Sequence, residues 1–198
     1  MTRILCAMLL ALSVCAFAQE KKAPEKAPEK TPEKKSEDRS FDQDSVMKDA
    51  EQFFGKNTEG LAKVVEKAFK DHGRPVGYIR GEEAAAALTI GLRYGDGSLI
   101  MKDAKPRKVY WTGPSIGFDA GANLSKVFVL VYHLDKPADL FQRFPGVDGS
   151  LYFVGGVGMN YQQRNNIILA PIRLGVGLRA GASVGYMSYS PKKTYNPL

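Results

Sequence analysis

A serine within Gly113-Pro114-Ser115-Ile116-Gly117 is where this 198-residue chain comes closest to spelling a catalytic pattern. Gly-x-Ser-x-Gly is the spacing of the nucleophile elbow of serine hydrolases. That elbow needs a strand, a sharp turn and then a helix, with an acid and a histidine following in that order. Here Phe118-Asp119-Ala120-Gly121 follows, which reads as more strand and turn, and His133 precedes Asp135. Ser115 is therefore read as part of a strand bend. A serine hydrolase acting through Ser115 is the alternative.

Other chemistries have less to work with. His72 and His133 are the only histidines, and the two cysteines, Cys6 and Cys15, both lie near the N-terminus. No metal-ligand cluster with usable spacing results. Gly155-Gly156-Val157-Gly158 and Gly175-Val176-Gly177 lack the spacing of a phosphate or dinucleotide loop and read as bulges or barrel corners. No cofactor is implied. His72 falls at a predicted helix C-terminus, where a partly charged imidazole suits the helix dipole. Glu82-Glu83 is an acidic pair, but neighbours in a strand point to opposite faces and share no site. Aromatic residues are the remaining resource. Tyr110, Trp111, Phe118, Phe128 and Tyr152 can line a pocket for an acyl chain or a glycan, and they are the candidate ligand-binding residues. The competing use is to fill the core, which is the commoner fate of such side chains.

The N-terminal residues read as an export signal, giving a domain at 1–18. Arg3 supplies the positive start, Ile4 to Phe17 is apolar but short for a bilayer span, and Ala16-Phe17-Ala18 places small residues before a cleavage point between Ala18 and Gln19. A lipid on Cys15 is the alternative, though Val14 is larger than the residue that normally precedes such a cysteine. Cleavage after Ala18 leaves a mature chain with no cysteine, hence no disulfide, and with no transmembrane segment. Residues 19–40 form a second unit. They repeat Ala-Pro-Glu-Lys with seven Lys/Arg against six Asp/Glu, and cannot bury enough apolar surface to order themselves. The net charge of the whole chain is +7, of which 41–198 carries +5. An exported protein of this charge is not expected to meet nucleic acid. Anionic envelope lipid or polysaccharide suits it better, and ordinary solubility explains the charge equally well.

Residues 41–198 are the folded domain. Ser45 is placed to cap a first helix carrying Val46, Ala50, Phe53 and Phe54, with Gly55 ending it. In the second helix Asn57 or Thr58 is the cap. Leu61, Val64, Val65, Ala68 and Phe69 form its single apolar stripe, and Gly73 and Pro75 end it. From Gly77 onward lie seventeen of the twenty glycines. Short strand patterns alternate with turn signals at Tyr94-Gly95-Asp96-Gly97, at Asp103 to Arg107 and at Asn165-Asn166. Val127 to Tyr132 reads as a strand buried on both faces. Pro137 opens a short helix anchored by Leu140, Phe141 and Phe144, with Pro145-Gly146 as its stop. From Leu174 to Tyr186, apolar residues alternate with glycine, which demands a tightly curled sheet. The fold expected is mainly β: a small soluble antiparallel β-barrel with two N-terminal helices and a short inserted helix.

Ordered blocks of the chain resemble one known family. They include Phe53-Phe54-Gly55, Gly73-Arg74-Pro75, Gly81-Glu82-Glu83-Ala84, Gly91-Leu92-Arg93-Tyr94-Gly95 and Val109-Tyr110-Trp111. Gly113-Pro114-Ser115-Ile116-Gly117-Phe118-Asp119, Gln142-Arg143-Phe144 and Pro171-Ile172-Arg173 continue the match. The chain is identified on them as a member of the envelope integrity protein A family of Gram-negative bacteria, from about Phe41 to its end. The resemblance implies a small periplasmic β-barrel that supports the cell envelope, with no catalytic residue to carry over. His133 stands where that family usually has asparagine. A second likeness is to the lipid-binding domain first described in yeast actin-patch proteins. It covers about Ala84 to Val131, through Gly95-Asp96-Gly97-Ser98-Leu99 and Trp111-Thr112-Gly113-Pro114. The expected function is thus non-enzymatic. The partner is an envelope lipid, a glycolipid or a periplasmic protein, and a purely structural module with a filled barrel is the competing reading.

Overall fold

The computed structural model describes residues 39–55, 59–87, 90–102, 104–116, 119–174 and 185–194, with the backbone path alone at 85–87, 90, 115, 116 and 119–123. The expected leader, the Ala18–Gln19 cleavage point, most of the Pro-rich unit, the Asn57/Thr58 cap, Phe118 and most of the Leu174–Tyr186 alternation lie outside the described residues.

Helix α1 runs Gln43–Phe54, and its cap is Asp42 rather than Ser45. The Asp42 carboxylate accepts from the Ser45 backbone N–H at 2.8 Å, and the Ser45 hydroxyl donates back to it at 2.9 Å. A carboxylate ahead of the first turn satisfies an orphan N–H and suits the helix dipole, so it displaces the serine as cap by three residues. Gly55 ends the helix in the left-handed conformation, φ +69°. Helix α2 runs Glu59–His72 and buries Leu61, Val64, Val65 and Ala68, as its stripe predicts.

Ten antiparallel strands follow among the described residues: β1 Gly77–Ala87, β2 Ile90–Met101, β3 Arg107–Ile116, β4 Asp119–Tyr132, β5 Arg143–Pro145, β6 Tyr152–Val154, β7 Val157–Met159, β8 Gln162–Arg164, β9 Ile167–Leu174 and β10 Tyr186–Ser190. They form one curled sheet in the order β5-β10-β3-β2-β1-β4-β9-β7-β6, with β8 also on β9. The curl brings β5 round to β8. Gly146 bridges Gln162, and the Val147 N–H donates to the Tyr161 carbonyl at 2.9 Å. The short helix before β5 is a single 3-10 turn, Pro137–Leu140. Pro145 does not stop it. It lies in β5, opposite Tyr186 of β10.

Tyr94-Gly95-Asp96-Gly97 is not a turn. It lies in the middle of β2, opposite Ala84 to Gly81 on one side and Thr112 to Val109 on the other. Gly95 makes room for a side chain and Gly97 for the backbone of the neighbouring strand. A Cβ on Gly95 would sit 2.2 Å from the indole of Trp111, and one on Gly97 would sit 2.4 Å from the Arg80 carbonyl oxygen. Strands that bend this sharply leave no room there for a side chain.

The sheet separates two cores. Tyr78, Phe128, Leu130, Tyr132, Met159 and Ile172 pack under the helices. Ile79, Leu99, Val109, Trp111, Val129, Phe144, Leu169, Met187 and Tyr189 fill the concave side. Alternation explains both: Val127, Val129 and Val131 face inward, Phe128, Leu130 and Tyr132 face the helices, and all six are buried. The helix layer is seated closely at Gly60, where a Cβ would lie 2.5 Å from the Val154 carbonyl oxygen and 3.1 Å from Gly155 Cα. Gly60→Ala should therefore destabilise by about 1–3 kcal/mol through overpacking. Helix propensity alone forecasts the opposite sign, a gain of up to about 1 kcal/mol. Urea midpoints decide, and a midpoint above wild type would show that α2 does not press on the β6–β7 turn.

Candidate functional site

Among the described residues, the charged side chains of the barrel interior come from three strands. Glu83 of β1, Arg93 of β2 and Arg173 of β9 each fall on the concave face by alternation. Glu83 is 2% exposed and Arg173 5%. Arg173 Nε donates to Glu83 Oε1 at 2.6 Å and its Nη2 to Oε2 at 3.3 Å. Arg93 Nε lies 3.5 Å from Oε1, and the Trp111 indole N–H donates to Oε2 at 3.3 Å. Arg173 also reaches Asn160 Oδ1 at 3.4 Å, and the Tyr189 hydroxyl donates to Gln162 at 3.3 Å. Burial alone would raise the Glu83 pKa. Arg173, then Arg93 and the hydrogen bonds, outweigh burial and hold the carboxyl below its ordinary range. Glu83 is thus an ionised, fully engaged acceptor. A general acid or base needs a proton to exchange, and this carboxylate is held in one state.

Across the outside of the sheet, the register lines up Lys126, Glu82, Asp96 and Tyr110 on β4, β1, β2 and β3. Lys126 marks where the helix layer stops: its ammonium donates to the Phe53 carbonyl at the end of α1, at 2.8 Å. Two residues on toward the hairpin ends, the same face carries Leu124, Ala84 and Tyr94 in register. Two further on, Leu92 stands between Ala86 and Pro114. Leu124 is 73% exposed and Leu92 39%. Leu124 and Leu92 are thus apolar side chains that no described element covers, while Thr112, opposite Tyr94 at the β3 end of the row, is fully buried.

A third cluster sits at the opposite end of β4. His72 packs edge-on against Tyr161, centroids 4.4 Å apart, and near Tyr132 at 5.4 Å. Its Nε2 is buried without a hydrogen-bond partner. Burial pushes the imidazole pKa down despite Asp71, so the ring is neutral at neutral pH and is not the charged dipole partner its position at a helix end suggests.

The family model of envelope integrity protein A matches residues 39–198. The chain belongs to that family. It is also similar to a solved structure described as a beta-barrel-like, uncharacterized protein from Brucella abortus. The two are 45% identical, the match covers 80% of this chain and 99% of that one, and the TM-score is 0.75. No curated protein matches the chain.

For this envelope integrity protein A member, the residues singled out in sequence separate. Trp111 and Phe128 are buried in different cores, on opposite faces of the sheet. Tyr110 is half-buried on the outer face, with the Lys108 ammonium 5.6 Å from its ring centroid. Tyr152 is half-buried beneath Lys67, 6.0 Å from its ring centroid. They do not converge on one pocket. Ser115 lies in β3 opposite Gly91, and strand β4 follows it, so the strand–turn–helix of an elbow is not formed at this serine. His133 follows the far end of β4, about 45 Å of strand path away. His133 has φ +56° and its Nδ1 is 3.0 Å from the Asn166 carbonyl oxygen. A left-handed backbone at this position accounts for the asparagine expected from the family, since asparagine and histidine tolerate it better than most residues. The sequence signal for the interior cluster is present but faint. Glu83 shares a face with Ile79, and Arg173 ends the run Ile167-Ile168-Leu169-Ala170-Pro171-Ile172, so each charge is out of place and implies a partner.

Proposed function

We propose that this envelope integrity protein A member is a non-enzymatic periplasmic protein that supports the envelope by holding a lipid or glycolipid on the outside of its barrel. The observation that carries this reading is that no described element covers the apolar side chains of Leu92 and Leu124 on the outer face. Tyr110 borders that face and is the candidate ligand-binding aromatic best placed to touch its occupant. Tyr152 is half-exposed elsewhere, while Trp111 and Phe128 act from within. Residues 1–18 as a cleaved leader and 19–40 as a tether belong to the same proposal, since together they would deliver the barrel to the periplasm and let it reach a membrane. Protein isolated from a periplasmic extract should begin at Gln19 and carry lipid detectable by mass spectrometry. A lipid-free preparation would remove the lipid-binding reading. A structural or protein-interaction module is the second reading, favoured by an interior that Trp111 already occupies. It forecasts no lipid and loss of envelope integrity only through loss of a protein contact.

A further inference from the structure

We propose that the cleft between the end of β4 and the β8–β9 turn binds an uncharged oligosaccharide. It shares no residue with the surface of Leu92, Leu124 and Tyr110, so this site stands whether or not lipid binds there.

The cleft has a volume of about 410 Å³, inside the range of about 300–1,000 Å³ typical of small-molecule sites. Two walls form it. One runs from His133 through the 3-10 turn Pro137–Leu140 to Gln142. The other is Asn165, Asn166 and Ile167, where β8 turns into β9. His133 ties the walls together, with Nδ1 3.0 Å from the Asn166 carbonyl oxygen. Gln142 braces the first wall: its Nε2 donates to the Asp139 carbonyl at 2.6 Å, and its own carbonyl accepts from the Tyr189 N–H of β10 at 3.0 Å. Gln163 Nε2 donates to the Asn165 carbonyl at 3.2 Å and braces the second. Among the described residues, the non-glycine positions with left-handed backbone are His133, φ +56°, and Asn165, φ +53°, and both line the cleft. Such backbone persists only where its surroundings fix it, and it gathers at ligand clamps. A site fixed before its ligand arrives loses less freedom on binding.

The lining selects the ligand. Asp135 and Asp139 bring two carboxylates, and no lysine or arginine lines the cleft. A phosphate, sulfate or carboxylate would meet like charge there without a counter-charge, although the chain as a whole is +7. An acyl chain would cover polar groups without satisfying them. Hydroxyl groups fit, because they donate to carboxylates and both donate to and accept from amides. Asn165 and Asn166 supply such amides, and Gln142, with Nε2 committed to Asp139, adds the acceptor Oε1. A carbonyl partner places the His133 proton on Nδ1, so the neutral ring offers Nε2 as another acceptor. Half-buried Phe141 adds an apolar surface for the C–H face of a sugar ring. An ammonium ligand would suit the carboxylates, but the amide donors have no use for one. Among the described residues, no three His, Cys, Asp or Glu side chains gather as metal ligands.

The test uses the full chain, purified after export and without added histidines. It is titrated with triacetylchitotriose, an uncharged N-acetylhexosamine trimer, and with maltotriose, an uncharged hexose trimer. Calorimetry and the NMR signals of the two histidine rings report binding. At least one trimer should saturate the protein and move the His133 signal, while His72, packed against Tyr161 and Tyr132, serves as the reference. Binding should persist in about 0.5 M salt, since the ligand is uncharged. Asp135→Ala and Asp139→Ala should each weaken it by about tenfold, the usual effect of losing a hydrogen bond to a charged group. Lys136→Ala, beside the cleft and outside its lining, should leave it unchanged. All three side chains are exposed, so folding should survive, which circular dichroism checks. Saturation by neither trimer overturns the proposal. So does binding of spermidine where neither trimer binds, which would make the cleft a cation site. Trimer binding that both aspartate variants leave intact places the sugar elsewhere and overturns the cleft. None of these outcomes depends on lipid carried by the purified protein.

Discussion

Trp111→Ala should cost the barrel about 3–5 kcal/mol, the usual range for removing a large buried aromatic. The indole is 3% exposed and fills the space left by two glycines: a Cβ on Gly95 would be 2.2 Å from it, and one on Gly81 2.6 Å. Because the glycine floor is backbone, it cannot swing in to occupy the hole. Collapse would have to bend β1 and β2 themselves, so the cavity should persist. The truncation also removes the indole N–H from Glu83 Oε2, leaving a buried carboxylate with one donor fewer. Trp111→Phe keeps much of the volume and loses the hydrogen bond, so it should cost distinctly less. Urea unfolding followed by circular dichroism is the measurement, since the protein's single tryptophan fluorophore is itself removed. A Trp111→Ala loss below about 1 kcal/mol would mean the interior is not organised around the indole, since buried aromatic truncations cost several-fold more.

Glu83→Gln should be comparably damaging at neutral pH, by about 3–5 kcal/mol, because it leaves Arg173 buried without its counter-charge. Arg173 is 5% exposed and donates twice to this carboxylate, so water cannot easily replace it. The interaction has a defined pH dependence. The native Glu83 carboxyl titrates below its ordinary value of 4.5, held there by Arg173 and Arg93 against the effect of burial. A depressed native pKa contributes stability above the unfolded value and loses it as pH falls toward the native one. The gap between wild type and Glu83→Gln should therefore be constant from neutral pH down to about 5, then narrow on further acidification. Replacing both partners by apolar residues, Glu83→Leu with Arg173→Met, should be milder than Glu83→Gln, since no lone charge stays behind on β9. A gap that is flat through acid pH would show that Glu83 is not ionised in the native barrel.

Local patterns settled much of this architecture. The stripe Leu61, Val64, Val65, Ala68 specified α2 and its buried face, because helical periodicity is a property of one segment. Val127 to Tyr132 announced a strand buried on both sides, since an unbroken β-branched and aromatic run has no polar face to offer water. What only the tertiary structure decided depends on residues far apart in the chain. Tyr94-Gly95-Asp96-Gly97 has the composition of a turn, yet it is mid-strand, where Trp111, sixteen positions after Gly95, fills the space Gly95 leaves and the β1 backbone closes on Gly97. Strand alternation put Glu83 on the opposite face from Glu82 but named no partner for it. Its partner Arg173 is ninety residues on, and no periodicity links them. Alternation says which side chains share a face, but it does not say which face is inside. In this barrel the concave face is the same throughout, but the outer face is covered over only part of the strands. The helix layer ends at Lys126, so the same outward face that buries Phe128 exposes Leu124.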